Sequence, residues 1–464
     1  MTNIRRALEA AAGVGGGDPV YVEDVFSPYV FTANGGTGQT ITNGIDLAGE
    51  GGLVWHKDRV ATYGHVLWDT ARGNDVYLNT AGTGANQTST DSITFNADGY
   101  DLNAATGNES TNATVGWTFR KAPGFFDVVK WTSTTTFENI SHNIGSVPGF
   151  VVYKCLTSTS DVTGGDWACW HTSGASNNNL FLNTTAAEVT YGYISGRTST
   201  QCNFYTTVGE DYVAYFFATD QADFGADSDE SIIKCGSYTG NGSTTGPVID
   251  CGFEPQWLLI KASSGSTGNW YMYDSMRGLT ASGANDAELY PSSTSAEYAG
   301  RESINVTATG FQLATTNTAN NASGSTYIYI AIRRPMKVPE AGTEVFSAEA
   351  YTGNSTAGRV LAASAGFPLD VLVAQIRVGA GPLLYDRMRG NLRDLEINTT
   401  AAGGASGTNV ITSFNQAGFT AGDDTYSNAS YTYIAWMFKR APQFMDIVCY
   451  AGNGTVGRTV AHNL

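Results

Sequence analysis

The residue types best able to do chemistry recur in one pattern: an aromatic, then Asp-x-x-Arg-Gly. It reads Trp68-Asp69-Thr70-Ala71-Arg72-Gly73, Tyr273-Asp274-Ser275-Met276-Arg277-Gly278 and Tyr385-Asp386-Arg387-Met388-Arg389-Gly390. An acid, a base and an aromatic ring so close together can grip a sugar or a carboxylate by stacking and bidentate hydrogen bonds. The same residues can equally build a turn. Asp accepts from its own turn, Arg reaches a carboxylate or strand-end carbonyls, and Gly adopts the left-handed conformation. Recurrence favours the second role, because a specific site is more often unique. Asp69, Arg72, Gly73, Asp274, Arg277, Gly278, Asp386, Arg389 and Gly390 are therefore read as a repeat-defining structural corner. An intervening stretch, Trp170-His171-Thr172-Ser173-Gly174, lacks both the Asp and the Arg.

Other reactive groups form no recognisable constellation. The five histidines, His56, His65, His142, His171 and His462, have no partner at catalytic or metal-ligand spacing. Neither a nucleophile elbow nor a phosphate-binding loop occurs. No enzyme activity, cofactor or metal is expected. The six cysteines are irregularly spaced; Cys235 and Cys251 are equidistant from the turn around Asn241-Gly242-Ser243, so a cross-strand bridge is weighed there against two buried thiols, with the thiols favoured. The acidic stretch 220–230 lacks EF-hand spacing and reads as a solvated linker.

Charge and hydropathy exclude further classes. A formal net charge of −17 repels phosphate backbones and anionic headgroups, so no nucleic-acid partner is expected. No apolar run approaches the ~20 residues that span a bilayer, and Arg5, Arg6 and Glu9 interrupt any signal-peptide core. The expectation is a protein made in the cytoplasm without membrane insertion.

The elements that carry the corner repeat with it. A Tyr-x-Gly-Asn turn (Tyr238, Tyr351, Tyr450) is followed by Gly-Phe and an apolar strand, then the corner, then an aromatic strand closed by basic residues and Pro. Continuous apolar runs such as Leu53-Val54-Trp55 suit strands covered on both faces. The order predicts β-sandwich repeats at 18–123, 124–219, 231–337 and 343–442, an acidic linker at 220–230, and the start of a truncated repeat at 443–464. That last copy leads to the expectation that the natural chain continues. Each unit reads as about seven to nine short strands, so the fold class is all-β: tandem antiparallel sandwiches, jelly-roll or concanavalin-like. The exception is 1–17, read as a short α-helix and a Gly tether. Thr2 serves as its N-cap, and Ile4, Leu8 and Ala11 share one face.

The opening Met1-Thr2-Asn3-Ile4-Arg5-Arg6 peptide, the Tyr-Thr-Gly-Asn and Gly-Phe-x-Pro signals, the corner and the closing Tyr-Ile-Ala strand together resemble the repeat-bearing tail-fibre or minor structural virion proteins of marine tailed bacteriophages. The resemblance covers nearly the whole chain and implies a virion component assembled in the host cytoplasm. Particle attachment would run through the leader, with Ile4, Arg5 and Leu8 meeting other virion proteins. The units would then be presented for host recognition, as a homotrimer that binds a surface polysaccharide through loop aromatics. The alternative is a capsid or tail decoration without a receptor role.

Overall fold

The structure, a computed structural model, describes residues 18–464 apart from 37, 109–110, 282, 284–285, 365, 380, 401, 406–408 and 451. The expected anchor residues Ile4, Arg5 and Leu8, with the rest of 1–17, lie outside the described residues. What is described is almost wholly β: eight antiparallel sheets, with helix confined to Val22–Val25, Thr318–Asn321 and a 3-10 turn at Gly342–Glu344. Among the described residues no helix is long and apolar enough to cross a membrane.

Unit one sets the pattern. Its strands are β1 (Phe26–Thr32), β2 (Gln39–Thr42), β3 (Gly52–Asp58), β4 (Val66–Asp69), β5 (Val76–Asn79), β6 (Gln87–Thr88), β7 (Ile93–Asn96), β8 (Gly99–Leu102) and β9 (Ala113–Arg120). They form a six-stranded sheet ordered β1-β9-β3-β4-β5-β6 over a three-stranded sheet ordered β2-β8-β7. The closing aromatic strand β9 thus lies between β1 and β3, with Phe119 opposite both Phe26 and Leu53. The same order recurs in unit two, with first strand Phe126–Thr132 and last strand Asp211–Phe217, and in unit four, from Phe346–Thr352 to Thr432–Phe438. Unit three, from Ile233–Thr239 to Thr326–Arg333, has four strands in its large sheet among the described residues. Where β5 and β6 would follow, it makes isolated bridges, Met272 with Leu289 and Glu288 with Tyr298.

Strand alternation explains why units one to three do not hang as separate beads. Along β3, Val54 faces the unit's own small sheet and packs with Trp68, Ile93 and Tyr100. Leu53 and Trp55 point the other way. Phe150 and Val152 hold the same positions in unit two, and Trp257 and Leu259 in unit three; all six line one small apolar gap. A single core therefore draws on three units. A linear string of sandwiches, which the repeats alone suggest, would leave these faces in water. Burying them is worth about 25 cal/mol per Å² of apolar surface, and the units close on one another instead. All seven residues of β3 and all six of Phe150–Cys155 are buried as a result.

Two smaller points follow. Cys235 and Cys251 are free, buried thiols. Their strands do not form a hairpin: Ile233–Thr239 pairs with Thr326–Arg333 in one sheet, and Val248–Asp250 with Gly310–Leu313 in the other. The described residues of 443–464 hold no strand but begin as unit two begins. Ala441 bridges Met445 as Ala122 bridges Phe126, and Asp446 accepts from Asn463 N at 2.9 Å as Asp127 does from Asn143 N at 2.8 Å.

Candidate functional site

By residue type the corner motif is the leading candidate site. Asp69 ends β4; its Oδ1 accepts from Arg72 N at 2.9 Å and its Oδ2 from Arg72 Nε at 2.6 Å, while Arg72 Nη2 donates to Leu67 O at 2.9 Å. Gly73 follows at φ 88°, a conformation that strains any residue with a Cβ. Asp274, Arg277 and Gly278 repeat this at 2.9, 2.6 and 3.0 Å with φ 113°. In unit four the two Asp386–Arg389 bonds are 2.9 and 2.5 Å, and Gly390 has φ 85°. Both side chains of the pair are 0% exposed in units one and three. No soluble ligand meets them there.

The buried oxygens instead join one unit to the next. Asp69 Oδ2 also accepts from Tyr215 Oη of unit two at 2.8 Å, and Asp274 Oδ2 from Trp117 Nε1 of unit one at 2.9 Å. Tyr215 and Trp117 are each the fifth residue of a closing strand. Unit three has Ile330 at that place, which has no side-chain donor. The corner it meets is that of unit two, where His171 replaces the Asp and its Nε2 lies 3.1 Å from the Tyr329 carbonyl. The lost Asp and Arg of unit two are therefore matched by a lost donor in unit three.

Two more sets of contacts run around the ring in one sense. Lys57, Lys154 and Lys261 occupy equivalent β3 positions and donate to the carbonyls of Thr294, Thr83 and Thr185 at 3.5, 3.0 and 3.0 Å, each in the preceding unit of the ring. Backbone bonds Glu297 N to Arg59 O, Asn86 N to Leu156 O and Glu188 N to Ser263 O, at 2.9, 3.0 and 2.9 Å, complete the set. The three units are thus related by a pseudo-threefold arrangement, in which unit three closes on unit one without a covalent link between them.

A different surface, on unit two alone, has the character of a binding face. Phe137 and Tyr205 lie opposite each other across two strands of its small sheet, rings 5.1 Å apart and 26° from parallel. Tyr191 stacks on Tyr193 at 4.4 Å and 18°, and lies 6.1 Å from Tyr205. Phe137 is 61% and Tyr191 60% exposed and Tyr205 is half-buried, so these three rings form an open aromatic platform, with the buried Tyr193 stacked behind Tyr191. Two residues along the same strands, Asn203 Nδ2 donates to Asn139 Oδ1 at 3.1 Å, and Ser195 Oγ to Asn203 Oδ1 at 3.2 Å. Flat apolar rings beside a row of amides and a hydroxyl suit a ligand with both C–H faces and hydroxyl edges, which is the chemistry of a sugar. The first pairs of the corresponding strands elsewhere are Gln39 with Leu102, Val248 with Gln312 and Arg359 with Ala421. None is aromatic.

A family model described as Domain of unknown function (DUF7483) matches residues 22–334 and 341–464. The chain belongs to the DUF7483 family. No curated protein matches it. The first stretch matched by DUF7483 spans the three ring units, and the second opens just before unit four.

Elsewhere in this DUF7483 chain the titratable groups serve packing. Burial drives the imidazoles of His56 and His171 down to pKa values of about 3 and about 4, and that of His65 well below its usual range, so all three are neutral at pH 7. His56 Nε2 is bonded to Tyr100 Oη at 2.6 Å, and His65 Nδ1 accepts from Trp55 Nε1 at 2.9 Å. A cleft of about 480 Å³ lies where unit four meets units one and three. At its walls Arg440 grips Glu254 at 2.8 and 2.7 Å and Asp446 at 2.8 Å, and Glu23 Oε1 accepts from Met336 N and Lys337 N at 2.7 and 2.9 Å. Among the described residues no group of three or more His, Cys, Asp and Glu is placed to hold a metal.

Proposed function

We propose that this chain is a structural component of a bacteriophage virion, a tail fibre that attaches by its N-terminal peptide and presents its β units to a host-surface polysaccharide. The observation that carries the recognition part is the platform of the exposed Phe137 and Tyr191 and the half-buried Tyr205 on unit two, backed by the buried Tyr193. It lies on a rigid ring and differs from the equivalent surface of every other unit, as a recognition surface grafted on a repeated scaffold should. The virion part rests on the resemblance in motif order and on the leader peptide. A decoration protein without a receptor role is the second reading, favoured by the use of the shared corner motif for packing between units.

Glycan-array binding by the purified chain tests the first reading. Tyr191→Ala with Phe137→Ala should abolish the signal while leaving the melting temperature unchanged, because both side chains are exposed. Absence of binding, or binding that survives the double substitution, would favour decoration. Deleting 1–17 should leave the units folded and prevent incorporation into particles; normal incorporation would refute the anchor.

A further inference from the structure

Among the described residues, no other unit covers the ring-forming face of unit four, and only Phe444 of the following segment lies against its Phe438. In units one to three the outward positions of the large sheet are Leu53, Phe150 and Trp257, then Trp55, Val152 and Leu259, all buried in the shared core. Unit four has Val371 and Val373 at those places, with Leu384, Ile434, Trp436 and Phe438 beside them, and all but Val371 are partly open to solvent. Phe346 is 38% exposed where its counterpart Phe26 is 2% exposed. A sheet with one face in water normally alternates apolar with polar residues. This one is apolar on both faces.

Unit four also holds both halves of the corner lock. Asp386 Oδ2 is bound by Arg389 Nε, and among the described residues it has no second donor such as Asp69 has in Tyr215 and Asp274 in Trp117. Trp436 is the fifth residue of its closing strand, the donor position. Its indole N–H has no hydrogen-bond partner among the described residues. Only unit one shares this combination of donor and acceptor, because unit two has lost the Asp and unit three the donor. A surface bearing both halves in a cyclic arrangement is complementary to copies of itself.

We infer that unit four is an assembly surface for two other copies of this chain, whose fourth units join it in a three-membered ring built as units one to three are built. Trp436 Nε1 of each copy donates to Asp386 of the next, and the Val373 side chains meet at the centre. The inference rests on the fold and not on the proposed role in a virion. This second ring is weaker than the first, because Pro382 replaces His65, Trp167 and Trp270. The two tryptophans donate to carbonyls of the preceding unit, Asn79 and Phe181, at 3.2 and 2.9 Å, and proline has no donor.

Light scattering after size exclusion, on the full chain, tests it. The expected mass is three times 49.1 kDa, falling to 49.1 kDa on dilution. Val373→Lys should give a monomer with unchanged melting of the first three units, while Trp436→Phe, which keeps the ring but removes the donor, should weaken association by about tenfold or more. Deleting 1–17 should leave the trimer intact. A monomer or dimer at the highest attainable concentration, or a trimer indifferent to Val373→Lys, would overturn the inference.

Discussion

Units one and four share one strand order and differ in what covers the large sheet. In unit one β9 is buried at six successive residues; in unit four the matching strand Thr432–Phe438 alternates buried with half-exposed. The private cores are alike, each built between large and small sheets. The comparison separates two energetic layers. One holds a sandwich together, and the other binds three sandwiches into a ring.

Substitutions at matched positions should pull the layers apart. Trp257→Ala empties a site at the ring centre and should cost about 3–5 kcal/mol, whereas Val373→Ala, measured on the dissociated chain at low concentration, should change the unfolding of unit four by less than about 1 kcal/mol, because its cross-strand neighbours Leu384 and Trp436 are only half-buried there. Denaturant melts of the two variants check this; equal losses would mean that the ring adds nothing. Asp274→Ala leaves the buried Arg277 with only its second acid, Glu297 at 3.0 Å, and takes the acceptor from Trp117 Nε1, which should cost about 3 kcal/mol. The same change at Asp386, whose Arg389 is 22% exposed, should cost about 1 kcal/mol. Tyr215→Phe removes one hydrogen bond to the Asp69 carboxylate and should cost about 1.5–3 kcal/mol, read as easier separation of units one and two, with unit four unmoved.

A pH effect sharpens the contrast within the ring. Unit three replaces two edge strands with a loop pinned by Asp286, whose Oδ2 accepts from Ser303 N and Ile304 N at 2.6 and 2.8 Å. Burial raises its pKa to about 8, against an ordinary 3.8. An acid raised in this way favours folding fully below the lower value, and its contribution falls as pH rises toward the higher. Asp286→Asn should therefore melt close to the wild type near pH 4 and several degrees higher at pH 8. An equal shift at both pH values would show that Asp286 is not the cause.

Much of the fold was legible in the sequence, because it is written in local patterns. The apolar run at Leu53-Val54-Trp55 reads as a strand covered on both faces, and β3 is such a strand. The corner reads as a turn held by Asp and Arg, and Arg72 and Arg277 are held so. Its second partner was not legible. Tyr215 and Trp117 lie far away in sequence, and only the closure of the ring brings them to Asp69 and Asp274. The same holds for His171, which reads as a decayed corner until Ile330 is seen at the donor position of the unit it meets. The aromatic platform was missed because Phe137, Tyr191 and Tyr205 come from separate strands and turns; the Tyr191-Gly192-Tyr193 triplet was its only local signal.

The claim that three units share one core that the fourth does not enter meets its most direct test in native-state hydrogen exchange of the full chain. The strands of 26–333 should exchange through one common opening with a single free energy, and those of 346–438 through a separate, lower one. Distinct free energies for units one, two and three, each independent of the others, would contradict the ring.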